Sequence, residues 1–195
     1  MLKQIPFWLV GLRVALGPLL LLNALDGQTD AWFLAGFITG FLSDIFDGVI
    51  ARRMGTSTAQ LRQADSWADV CFYGCIFAAT WLVHQETVLA FQVPLLTVVA
   101  AQLVLYGLNW IKFGKTPSYH TYTAKAWGIG LCAAVVALFG FGQAGIYLWL
   151  AIALALLNSL EEIIMTALLQ EWQYDVPSLL HILRSRPPSE LSQLS

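Results

Sequence analysis

The chain has 195 residues, of which 58% are hydrophobic and only 11% charged, whereas soluble domains are roughly 45–50% apolar and roughly 25% charged. With a mean hydropathy of +0.68, this excludes a soluble domain and reads as an integral membrane protein. The net charge of −2 says little, because where the charges fall matters more than their sum; no nucleic-acid partner is expected.

Six apolar stretches approach the ~20 residues that cross a bilayer as a helix. In chain order they are Phe7–Leu25, Ala31–Ala51, Gln63–Val83, Val88–Lys112, Thr121–Phe141 and Ile146–Leu169. Turn-forming or polar residues separate them: Asp26-Gly27-Gln28, Met54 to Ser57, His84-Gln85-Glu86, Gly114 to Pro117, and Gly140 to Gly145. The runs are continuous rather than alternating, which favours helices over a barrel. The expected fold is all-α, with six transmembrane helices in residues 1–170 and short interfacial segments at both termini. The first span is read as a retained helix rather than a cleavable signal peptide, because it is long and lacks a small-residue cleavage site. Residues 171–195 read as a cytoplasmic interfacial tail, in which Asp175-Val-Pro177-Ser178 signals a helix start. Cys71, Cys75 and Cys132 lie within apolar spans and read as small packing residues.

All ten Lys and Arg residues fall on one side of this arrangement. Lys3 and Arg13 precede or open the first span; Arg52, Arg53 and Arg62 flank the second loop; Lys112, Lys115 and Lys125 flank the fourth; Arg184 and Arg186 are in the tail. By the positive-inside rule both termini and loops two and four are cytoplasmic. The expected location is the bacterial cytoplasmic membrane.

Against this apolar background, Asp44, Asp47, Asp65 and Asp69 stand out. An ionised carboxylate in a membrane helix costs at least ~2.5 kcal/mol on insertion scales, so four of them require compensation. Asp44 and Asp47 share one helix face, as do Asp65 and Asp69. The second and third spans are read as antiparallel neighbours. Asp47 then lies roughly 9 Å below the helix end at Arg53, at about 1.5 Å per residue, and the returning pair lies at similar depth. Such a cluster of hard oxygens suits Mg²⁺, Mn²⁺ or Ca²⁺. A pair of ions about 3.5–4 Å apart is the arrangement that serves phosphoryl transfer. Gly48 and Ala51 leave room for a phosphate or base, and Arg52 and Arg53 add phosphate-binding charge. The rival reading is a cation or proton transporter that uses the same acids, although transporter sites usually lie near the midplane.

The segment from Asp44 to Asp69 resembles the CDP-alcohol phosphotransferase signature D-x2-D-G-x2-A-R-x8-G-x3-D-x3-D. Asp44, Asp47, Gly48, Ala51, Arg52, Asp65 and Asp69 match it, and Leu61 replaces the second glycine. Arg13-Val-Ala-Leu16-Gly-Pro18 is similar to the R-x2-L-x-P of the family's first helix, and Lys125 to a lysine at the start of its fifth. The resemblance implies transfer of a phosphatidyl group from a CDP-linked lipid donor, CDP-diacylglycerol above all, to an acceptor alcohol, with release of CMP. It implies two ions, Mg²⁺ or Mn²⁺, on Asp44, Asp47, Asp65 and Asp69, with Asp69 also taking the acceptor's proton. Asp44, Gly48, Ala51 and Arg52 would contact the nucleotide. A homodimer is also implied. Leu61 opens the further alternative of a non-catalytic member.

Arg62, Lys112, Lys115 and Lys125, with His120, form a cationic collar suited to a phosphorylated acceptor; the same charges could instead answer anionic lipid headgroups. Glu161 and Glu162, with Asn158, are candidates for acceptor hydroxyls or for pairing with a neighbouring cation. Tyr106 and Asn109 are weaker candidates. His84 and Glu86 read as solvated loop residues.

Overall fold

Short polar side chains set several helix starts. Asp30 Oδ1 accepts the backbone N–H groups of Trp32 (3.0 Å) and Phe33 (3.1 Å) ahead of α2, Ala31–Arg53. Thr58 Oγ1 accepts from Leu61 N (3.2 Å) at the start of α3, Ala59–Val83. These contacts satisfy donors that a helix cannot satisfy itself. The computed structural model describes residues 5–53 and 58–185, without the side chains of Ala51, Arg52, Arg53, Ala59, Arg62 and Ser185. All its regular elements among these residues are helices, and six of them are long and apolar enough to span a membrane. The chain divides into two units.

The first unit comprises residues 1–92 and 135–144. It holds α1 (Ile5–Asn23), α2, α3, the short α4 (Gln85–Ala90) and the last turns of α6 (Tyr122–Phe141). Helix α1 packs against both α2 and α3. Phe72 of α3 is fully buried and stacks on Phe37 of α2, with ring centroids 6.1 Å apart. Gly40 makes room for that ring: a Cβ there would collide with it. A Cβ on Gly17 would come within 3.1 Å of the Phe72 backbone. Small residues thus let helices approach where lipid provides no hydrophobic drive between them. The helices expected as neighbours, α2 and α3, meet at the Phe37 and Phe72 ring pair, and both also pack on α1.

The fourth span differs from expectation. Val88–Lys112 was expected as one run, but the chain breaks at Phe91, between α4 and α5 (Gln92–Phe113). Pro94 sits in the first turn of α5, where its missing N–H does no harm; farther along a continuous helix it would remove a hydrogen bond. His84, expected to be solvated, is half-buried edge-on against Phe139 (5.0 Å), and burial lowers its pKa.

The second unit comprises residues 93–134 and 145–195. It contains most of α5, the first part of α6, α7 (Gly145–Leu168) and α8 (Leu179–Ser185). The predicted tail helix exists, and Ser178 Oγ accepts from His181 N at its start (3.3 Å). Val176 and Ile182 of the tail share a buried cluster with Tyr119, Met165 and Leu169. Backbone bonds from Asp175 N to Ser118 O (3.0 Å) and from Tyr122 N to Pro177 O (3.1 Å) tie the tail to the loop before α6. Trp172 Nε1 donates to Thr116 O (3.0 Å). Through Ile182 the tail is therefore part of this unit's core.

Candidate active site

In the first unit the four aspartates converge, and the group they converge on is Arg13. Its Nη1 donates to Asp44 (2.7 Å) and Asp69, and its Nη2 to Asp47 and Asp65 (2.7 Å). The sequence reading placed Arg13 in the cytoplasmic charge belt. It lies instead well inside α1, with a completely buried side chain. A guanidinium is planar and carries five donors, so one arginine can bridge carboxylates from two helices at once.

The pairing follows from antiparallel helices. Asp44 and Asp69 share one guanidinium nitrogen, and Asp47 and Asp65, each nearer the loop between α2 and α3, share the other. The pairs differ in exposure. Asp47 and Asp65 side chains are 4% and 7% exposed, Asp44 and Asp69 31% and 32%. The centre therefore has a closed side and an open side.

Asp44, Asp47 and Asp65 each bring a carboxylate oxygen within 4.8 Å of the others. Hard oxygens at that spacing fit a divalent ion such as Mg²⁺ or Mn²⁺. Four carboxylates against one guanidinium also leave surplus negative charge in a poorly hydrated place, which a divalent cation would offset. Gly48 is buried beside Asp47; the side chains of Ala51, Arg52 and Arg62 lie outside the described residues.

Leu61, where the family signature has glycine, is 3% exposed and packs with Val10 of α1 and Ala68 of α3. Its bulk fills the seam between α1 and α3.

The second unit holds the remaining candidates. Glu161 accepts from the Thr123 hydroxyl through one carboxylate oxygen and from Leu179 N (3.0 Å), at the start of α8, through the other. Glu162 is buried and hydrogen-bonded to Asn158, whose Oδ1 also accepts from Thr121 (2.9 Å). Lys112 Nζ donates to the backbone carbonyls of Thr166 (2.9 Å) and Ala167 (2.8 Å), the free end of α7. Lys115 lies over the Trp172 ring (4.4 Å) and Lys125 over Tyr122 (5.0 Å). A buried relay runs from Tyr119 Oη to Asn109 Oδ1 (3.0 Å), from Asn109 Nδ2 to Thr166 Oγ1 (2.8 Å), and from Thr166 Oγ1 to Glu162 O (2.8 Å). Burial raises the Tyr119 pKa, so its phenol stays a donor. Tyr106 is partly exposed.

Sequence reasoning did not single out Arg13 as a partner of the acids. The available signal was a cation within an apolar run, which calls for a buried partner.

The sequence profile described as CDP-alcohol phosphatidyltransferase matches residues 3–158. Comparison with curated proteins and with solved structures gives no significant match.

Proposed function

We propose, from the premise that this chain belongs to the CDP-alcohol phosphatidyltransferase family, that it transfers a phosphatidyl group from CDP-diacylglycerol to an acceptor alcohol and releases CMP. Phosphatidyl transfer in general comes with the family; the donor, the metal and the residue roles are our reading. The observation that carries it is the convergence of four carboxylates from α2 and α3 at one point.

Asp44, Asp47, Asp65 and Asp69 would hold two divalent ions, Mg²⁺ or Mn²⁺. Bound there, such ions supply Lewis-acid polarisation of the diphosphate and charge stabilisation for the departing CMP. The remaining work falls to the chain. Asp47 and Asp65, on the closed side, would fix the ions where the donor's diphosphate is to sit. Asp69, on the open side, takes the proton of the acceptor hydroxyl as its oxygen forms the new bond to phosphorus and the bond to the CMP oxygen breaks. Asp44, Gly48, Ala51 and Arg52 line the nucleotide position, where an arginine suits phosphate. The distribution of Lys and Arg supports a site that faces the cytoplasm, and we take the membrane to be bacterial and the working unit to be a homodimer.

The test is CMP release by purified protein given Mg²⁺ or Mn²⁺, CDP-diacylglycerol and a panel of free and phosphorylated alcohols, with mass spectrometry of the lipid product. Metal-dependent CMP that Asp69→Asn removes is the expected result. Cation flux in sealed vesicles, with no CMP under any condition, would replace this reading with the transporter.

A further inference from the structure

We propose that Arg13 is the built-in counter-cation of the metal-free centre, and that it gives up its carboxylates when a divalent ion is loaded. The inference rests on the reading above, that the aspartates hold divalent ions.

Arg13 addresses one oxygen on each of the four acids. Three of those acids are the ones whose oxygens lie close enough together to share an ion. A guanidinium and a divalent ion cannot both occupy that convergence point: they would compete for the same lone pairs and repel each other strongly where water screens little. Without any cation, the four carboxylates would repel and drive α2 and α3 apart. Arg13 prevents this, and it is positioned to do so by α1, which packs on both helices.

The arrangement is also incompletely satisfied. Among the described residues, the buried Nε–H of Arg13 has no acceptor. A buried donor left unmet weakens the hold of the state that contains it, which lowers the cost of releasing the arginine. The centre is thus held assembled but exchangeable. Apparent metal affinity is reduced by the free energy needed to free Arg13, as for any ligand that binds a minor state.

Mn²⁺ binding, followed by the electron paramagnetic resonance of free Mn²⁺, and melting temperature, with chelator or with Mn²⁺, are measured without lipid substrates on wild type, Arg13→Met and Arg13→Lys. Arg13→Met should bind Mn²⁺ about tenfold tighter or more, since the competing charge is gone. It should melt below wild type in chelator and recover with Mn²⁺; folding only when Mn²⁺ is present supports the proposal equally. Lysine keeps the charge but cannot bridge four carboxylates, so Arg13→Lys should fall between the two. If Arg13→Met fails to fold in either condition, Arg13→Lys decides. Equal or weaker Mn²⁺ binding by the folded variants, beside a wild type that binds, overturns this inference and leaves the metal reading intact. Absence of Mn²⁺ binding by every form removes both.

Discussion

The first unit sets four carboxylates around a single guanidinium, whereas in the second unit the polar groups of α7 are matched locally. Both oxygens of Glu161 accept hydrogen bonds, Lys112 is engaged by the carbonyls that end α7, and Tyr119, Asn109 and Thr166 form a directional relay. Both units bury polar side chains in apolar helices, but among the described residues the first gathers four carboxylates on one cation, whereas the buried acid of the second, Glu162, is met by the Asn158 side chain. Buried charge without full compensation is retained where something else supplies the balance. Matched hydrogen bonds instead hold helices in one arrangement. The proposed chemistry rests on the first of these patterns, and the hydrogen bonds of the second tie α7 to its neighbours.

The contrast breaks most readily at Asp69. Replacing it with asparagine keeps the shape but removes a proton acceptor, and CMP release should fall about 10²–10⁴-fold; a variant with normal turnover would take the chemistry away from this cluster. Next is the seam that carries Arg13. Leu61→Ala should cost about 2–5 kcal/mol, as for a buried leucine, and should lower melting temperature and activity together; an unchanged melting temperature would contradict its burial between α1 and α3. Thr166→Val removes the hydroxyl that both Asn109 and Tyr119 contact. The loss should be about 1–3 kcal/mol of stability, with CMP turnover per folded molecule retained. A variant that keeps its melting temperature and loses turnover would give α7 a catalytic part. The smallest effect belongs to Lys112→Met, which frees two partly hydrated helix-end carbonyls and should cost about 0.5–1.5 kcal/mol. A raised KM for a phosphorylated acceptor, with no change in melting, would support the acceptor-binding role expected of Lys112 from sequence.

Much of the helical plan could be read directly. Five of the expected spans correspond closely to helices, because a bilayer leaves a long apolar segment little choice but to satisfy its own backbone. The fourth is also a helix of membrane length, but it starts at Gln92 rather than Val88, because hydropathy is blind to the break at Phe91. The four acids were visible because charge is rare here and their spacing puts each pair on one face. Arg13 was mistaken for a flanking charge because its partners lie on other helices. Leu61 was visible as a departure, but not its packing against Val10.

Sequence alone therefore determined that the protein is built from membrane-length helices and that two of them carry paired acids, since both facts follow from local periodicity and the cost of charge in an apolar medium. Only the tertiary structure decided that α1 sits against both acid-bearing helices, that one guanidinium meets all four carboxylates, and that Glu161 and Lys112 are engaged within their own unit. Those outcomes depend on which side chains meet across distant parts of the chain, and spacing along a single helix does not encode it.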